Sequence, residues 1–197
     1  LTRIFRQALG SAIITNAHRI NKGEFPILKG GRNNDFFFIE EEDPQKIVET
    51  IKGLCTSRLP LYYNADPIND IQVLSPMQRG ETGTHNLNLV LQETLNPSNI
   101  SIKYGGTIYK LNDKVIDEVV LAYATTIHKS QGSEFGIVVA PITTQHYIML
   151  KRNLLYTCVT RAKRAIVLVG TKKAIAIAVS NNKTQKRNTM LATRLRG

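Results

Sequence analysis

Between two apolar runs, the stretch ATTIHKSQGSEF, Ala124 to Phe135, gathers hydroxyls, an imidazole, an amine, an amide and a carboxylate. Thr125, Thr126, Ser130 and Gln131, with His128 and Lys129, can satisfy a sugar-phosphate chain without reading its bases. His128 alone reads equally well as a structural hydrogen-bonder. Gly132 allows close backbone approach, and Glu134 supplies a carboxylate suited to a ribose hydroxyl. A phosphate-cradling P-loop is excluded here, because its glycines must precede the lysine and in this stretch the glycine follows. In PMQRGETGTHN, Gly80 and Gly83 precede a helix expected to start near Thr84, so backbone donors beside Arg79 would form an anion site. In RNLLYTCVTRAKR, helical spacing puts Asn153, Thr157, Thr160, Arg161 and Arg164 on one polar face. An arginine held near a helix C-terminus, as Arg161 would be, can stabilise the charge that develops in phosphoryl transfer.

Something must hold these groups in place. Five β-branched or aromatic runs read as strands: Phe36 to Glu40, Ile71 to Ser75, Val119 to Ala124, Gly136 to Pro141 and Ala165 to Gly170. Helical patterns lie between most of them. In THNLNLVLQETL the residues Leu87, Val90, Leu91, Thr94 and Leu95 share a face, and Pro97 stops the helix. In RNLLYTCVTRAK the buried stripe is Leu154, Leu155, Cys158 and Ala162. Near-continuous apolar strands alternating with helices predict an α/β fold with a mostly parallel sheet covered on both faces. In such sheets ligands gather beyond the carboxyl ends of the strands. The segment EFPILKGGRNND reads as a turn-rich loop, ISIKYGGTIYK as a hairpin or loop, and NNKTQKRNTMLATRLRG as a basic tail.

Charge distribution narrows the class of partner. The chain of 197 residues carries a formal charge of +11, and its 42% hydrophobic content suffices for a core. From Leu121 onward there are thirteen Lys and Arg residues and a single acid, Glu134. So one-sided a field attracts a polyanion, most often nucleic acid. Cys55 and Cys158 lie far apart without a His or Cys partner at metal spacing, which argues against zinc and against a disulfide framework and fits a reduced, cytoplasmic protein. No apolar run approaches the roughly 20 residues of a membrane span. The opening LTRIFRQALG lacks a signal-peptide core and reads as the continuation of a longer chain.

Four blocks, in order, resemble the second half of a superfamily 1 DNA helicase of the RecD type, the exodeoxyribonuclease V alpha subunit family. LTRIFRQALGSAIITNAHRINKG resembles helicase motif IV and its helix, and VLSPMQRGETGTHNLNLVLQETLNP the DNA-contacting segment that follows. LAYATTIHKSQGSEF resembles motif V, and RNLLYTCVTRAKRAIVLVG motif VI. The resemblance implies a RecA-like motor domain over residues 1–182 with a basic tail over 183–197, and a hairpin or loop at about 98–118 where the family usually carries a small β-barrel.

It further implies an ATP-dependent motor that walks 5′ to 3′ along single-stranded DNA. ATP with Mg would be bound jointly with an N-terminal RecA-like domain of the same protein, and recombination nuclease subunits are further partners the family suggests. Arg6 and Arg161 match the two arginines that reach the γ-phosphate, with Gln7 a further nucleotide-site candidate. Gly132 and Glu134 match the nucleotide-facing end of motif V, while Thr126, His128 and Ser130 match its DNA-facing part. Ser75, Pro76 and Arg79 carry over as DNA-backbone contacts. The chain has neither a P-loop nor the acidic magnesium-binding motif of the first motor domain, so alone it is expected to be inactive. The competing reading is a non-enzymatic nucleic-acid-binding module derived from such a domain, which would have no use for γ-phosphate arginines. A stand-alone nuclease or phosphotransferase would need an acidic metal cluster that the sequence lacks.

Overall fold

A computed structural model describes residues 10–30, 34–96, 101–104, 107–110 and 122–182. Among them one five-stranded sheet forms, entirely parallel, in the order β1-β7-β6-β2-β5. Its strands are β1 (Phe36–Glu40), β2 (Ile71–Ser75), β5 (Ala124–Thr126), β6 (Phe135–Ile142) and β7 (Ala162–Gly170). The remaining strands, β3 (Ser101–Tyr104) and β4 (Thr107–Lys110), pair antiparallel as a separate hairpin. The hairpin pattern in ISIKYGGTIYK is therefore present in the fold.

Alternation with period two sends successive side chains of the central strands to opposite faces, and both faces are apolar. Val138, Ala140, Ile142, Ile166 and Leu168 pack under α1 (Ala12–Lys22), α5 (Arg152–Val159) and α6 (Lys172–Ser180). Ile137, Val139, Ala165, Val167 and Val169 pack under α2 (Pro44–Gly53) and α4 (Thr84–Leu95), with Leu59 of α3 (Leu59–Tyr63) on the same side. A π turn, Leu54–Arg58, joins α2 to α3. Cys55 and Cys158 belong to these two opposite layers, and burial pushes each thiol up to about 12.

Helix ends follow local chemistry. Ser11 caps α1, Asp43 caps α2 with Pro44 in its first turn, and Thr171 caps α6. Gly23 closes α1 in the left-handed region at φ 84°, and its N–H returns to the carbonyls of Arg19 and Ile20.

Two boundaries differ from expectation in ways that matter for the site. The third strand begins at Ala124, so Thr125 and Thr126 lie inside it rather than after it. Its pairing is fixed by the end of β2, with Ala124 opposite Val73 and Thr126 opposite Ser75. Motif VI also divides earlier than its helical spacing suggests. Helix α5 stops at Val159, where the Thr160 hydroxyl donates to the Thr157 carbonyl, and β7 already begins at Ala162. Ala162 is thus a strand residue buried in the sheet, and Arg164 leaves the polar face of the helix altogether.

Candidate nucleotide and nucleic-acid sites

The sequence-predicted residues fall at two opposite edges of the sheet. At the amino edge, the tail of the Ala124–Phe135 stretch meets the turn between α5 and β7. Phe135 N–H donates to the Arg161 carbonyl at 2.9 Å, tying the entry of β6 to the entry of β7. The guanidinium of Arg161 crosses the same gap and donates from Nη1 to the Ser133 carbonyl at 2.7 Å. Its Nε reaches the Thr157 carbonyl at 3.3 Å and its Nη2 the Thr160 hydroxyl at 3.4 Å. These bonds satisfy the frayed end of α5 and hold a half-buried guanidinium in one orientation. None of its partners is a carboxylate, so no anion among the described residues neutralises its charge.

Gly132, at φ 90°, turns the chain into this edge in a conformation that suits glycine. Glu134 is exposed and pairs with Lys163 at 3.3 Å. The pairing of β6 with β7 slips by a residue between Phe135 and Ile137, opposite Lys163 and Arg164. Such a bulge re-aims neighbouring side chains, and here it separates the two basic residues. Lys163 turns to Glu134, while Arg164 donates to the Tyr63 carbonyl at 3.0 Å and lies over the Tyr63 ring at 5.4 Å. Arg164 therefore does not join Arg161. Arg6 and Gln7 lie outside the described residues.

The carboxyl edge carries the other set. Ser75 and Thr126 close neighbouring strands, and Ile127 N–H donates to the Ser75 carbonyl at 3.1 Å. Their hydroxyls face inward. Ser75 Oγ donates to the Thr82 carbonyl at 2.8 Å and accepts from Met77 N–H, Thr126 Oγ1 accepts from Lys129 N–H, and Ser130 Oγ donates to the Ile127 carbonyl at 2.8 Å. Ser75, Pro76, Thr126 and Ser130 are buried, whereas Arg79, His128 and Lys129 are exposed. The anion site expected from helix-terminal donors takes a different form. Thr84 and His85 N–H donate to the Met77 and Gln78 carbonyls, so the first turn of α4 is spent closing its own loop. Gly83 is required there, since a Cβ would stand 2.5 Å from the Arg79 carbonyl oxygen.

Two residues had no signal in the spacing. Asn88, buried on α4, donates to the Ala124 carbonyl at 2.9 Å and accepts from Ala124 N–H at 2.8 Å, gripping the open edge of β5. His146, buried in the 3₁₀ turn Thr144–Met149 after β6, lies 2.9 Å through Nε2 from Thr82 Oγ1. Polar residues sitting among apolar ones in a helix or turn were the available clue.

Residues 121–169, spanning the motif V and motif VI segments, match the family described as UvrD-like helicase C-terminal domain. The whole chain is 26% identical over 238 residues to the ATP-dependent RecD2 DNA helicase of Deinococcus radiodurans and covers 32% of that protein. A segment equal to 33% of the chain is 40% identical over 65 residues to the RecBCD enzyme subunit RecD of Mycobacterium tuberculosis, of which it covers 11%. The chain matches a RecD-like superfamily 1 helicase C-terminal domain. It spans about a third of the length of the first of these relatives. The fold agrees with that of the C-terminal domain of a possible DNA helicase from Lactobacillus plantarum. The TM-score is 0.50 at 14% identity, over 89% of this chain and 94% of that one. The chain thus has an α/β, RecA-like fold with a parallel sheet. No helix among its described residues is long and apolar enough to cross a membrane.

Proposed function

We propose that this chain is a helicase C-terminal domain, the second motor half of an ATP-dependent 5′ to 3′ DNA translocase, joined in a longer protein to a P-loop domain. Residues 1–182 form the motor half and 183–197 a basic tail. The observation that supports the reading most is the position of Arg161. Its guanidinium is held by three oxygen atoms at the sheet's amino edge and has no carboxylate partner among the described residues. A cation fixed in that way suits the extra negative charge of a phosphoryl group in transfer, because it needs little reorganisation when the charge appears. Arg6 and Gln7 supplement it, and Gly132 and Glu134 border the same edge.

The donor set fits a nucleotide triphosphate and offers less to a metal. No group of three or more His, Cys, Asp or Glu residues among the described residues could hold an ion. Mg would accordingly be held by the phosphates and the other motor domain. When bound, ATP supplies the free energy of phosphoryl transfer. Arg161 and Arg6 orient and neutralise its terminal phosphate, and the P-loop half supplies the remaining contacts.

At the carboxyl edge, Arg79 and His128 meet the backbone of single-stranded DNA. Pro76, Ser75, Thr126 and Ser130 shape the two loops that carry them. Recombination nuclease subunits are partners of the whole protein in this reading, with roles in repair and recombination in the cytoplasm. Steady-state ATP hydrolysis tests it. The isolated chain should show none, and the longer protein should show turnover stimulated by single-stranded DNA. Hydrolysis by the isolated chain above a mock-purified control, lost on Arg161→Ala, would overturn the division of labour.

A further inference from the structure

The loop after β2 is held from two sides, and one of those holds is unusual. Ser75 Oγ donates to the carbonyl of Thr82, while the hydroxyl of the same threonine meets His146 Nε2 at 2.9 Å, 64 residues further along the chain. Both partners are buried, Thr82 at 1% and His146 at 2% exposure. The loop itself is compact. Gly83 N–H donates to the Gly80 carbonyl, Thr84 N–H to that of Met77 and His85 N–H to that of Gln78. Arg79 stands exposed beside Gly80, which adopts φ 93°.

Among the described residues the other ring nitrogen of His146 has no hydrogen-bond partner, and neither does the nearby buried hydroxyl of Thr143, whose carbonyl accepts from His146 N–H. A buried imidazole with one nitrogen unsatisfied costs stability, and an apolar side chain of similar shape would avoid that cost. A polar group retained where an apolar one would pack better calls for a role beyond packing. The structure provides one, because the bond joins the exits of adjacent strands β6 and β2.

We infer that His146 is a positioning residue that fixes the Arg79 loop for contact with the nucleic-acid backbone. The inference rests on the DNA-facing reading of the carboxyl edge proposed above. Without the Thr82 bond the loop keeps its internal hydrogen bonds but is free to tilt about Ser75, and Arg79 loses its aim. The same 3₁₀ turn leads through Leu150 and Lys151 into α5, which ends at Val159 just before Arg161, so one continuous segment runs from the latch to the amino edge.

Fluorescence anisotropy with labelled oligothymidylate and this chain tests the inference. Arg79→Ala and His146→Leu should each weaken binding by about three- to tenfold, the scale of one lost hydrogen bond or backbone contact. The double variant should be no weaker than Arg79→Ala alone, because His146 acts through that arginine. His146→Gln, whose amide nitrogen can take the place of Nε2, should return affinity to within about twofold of wild type. Thr82→Val removes the same bond from the other side and replaces His146→Leu if that variant is unfolded. Wild-type affinity in a folded His146→Leu or Thr82→Val variant, additive losses in the double variant, or an Arg79→Ala variant that binds normally would each overturn the inference. A wild-type chain that does not bind the oligonucleotide would refute the DNA-facing reading itself, and the inference with it.

Discussion

Replacing Asn88 with Ala should destabilise the domain at a point that spacing alone gives no reason to suspect. Asn88 is 6% exposed, and its amide makes both bonds to Ala124, at 2.9 Å to the carbonyl and 2.8 Å from the N–H. Ala124 opens β5, which pairs with β2 through only three residue pairs. Truncation leaves a buried backbone donor and acceptor unpaired on the open side of that strand. At about 1–3 kcal/mol for each orphaned group, and with some relief from water at the edge, the loss should come to about 2–4 kcal/mol. For a domain of this size each kcal/mol lowers the melting temperature by about 2–4 °C, so a fall of about 5–15 °C is expected. Urea titration monitored by circular dichroism should show a lower midpoint with the slope preserved. Asn88→Asp should not rescue it, because a carboxylate would face the Ala124 carbonyl. A loss below about 0.5 kcal/mol in Asn88→Ala, the scale of an ordinary surface substitution, would refute the anchoring role.

Burial depresses the pKa of His146 from the usual value to about 4. The unfolded chain therefore takes up a proton first as pH falls, and the contribution of a neutral His146, complete above about pH 6.5, is lost towards pH 4, by about 2–4 kcal/mol. Melting temperature against pH should accordingly be shallower over this window in His146→Leu than in wild type, and parallel curves would contradict it. Gly170→Ala should cost about 3 kcal/mol or more by urea titration, because the added Cβ would fall on the Ile142 carbonyl at φ 150°; a near-neutral change would show that β6 and β7 can part there. Binding of single-stranded DNA should weaken steeply as salt rises and vary little with sequence, since the exposed groups at the carboxyl edge are cationic or polar. Anisotropy across a salt series would contradict this by showing tight, salt-insensitive binding.

The core strands were readable because each is apolar on both faces, which only a sheet covered twice can bury. Helix α4 begins at Thr84 and ends at Leu95, as its periodicity predicts, although its buried line runs through Thr84, Leu87, Asn88 and Leu91 rather than out to Thr94. Boundaries failed where tertiary pairing overrode local pattern. Ala162 fits a helical stripe, yet its partner is Phe135 in a strand that periodicity alone cannot bring alongside. Arg164 fits the polar face of α5 and instead lies over Tyr63, because β7 starts early and bulges there. At the sites, the meeting of Arg161 with Ser133 and of Ser75 with Thr126 follows motif order. Inward-facing hydroxyls do not, since a serine bonded to a loop carbonyl and one bonded to a ligand look alike in sequence. Of the nine candidate residues among those described, six lie at or beyond the carboxyl ends of β2 and β5, where the rule for parallel sheets expects them, whereas Gly132, Glu134 and Arg161 lie at the amino ends of β6 and β7. The hydrogen bonds of Asn88 and His146 span 36 and 64 residues, beyond the reach of any local pattern.

In the proposed motor, Arg161 acts on charge that develops at a phosphate rather than on the fold alone. The decisive measurement is DNA-stimulated ATP hydrolysis by Arg161→Ala in a protein that joins this chain to the proposed P-loop domain, with ATP and DNA affinities and melting temperature recorded on the same preparation. The three hydrogen bonds of the guanidinium imply a modest stability cost, about 1–2 kcal/mol, which leaves the domain folded at assay temperature. The variant's kcat should fall by a factor on the order of 10³ or more, with both affinities within a few-fold of wild type. Turnover near the wild-type value in the folded variant, or activity that falls only in step with the folded fraction, would contradict it.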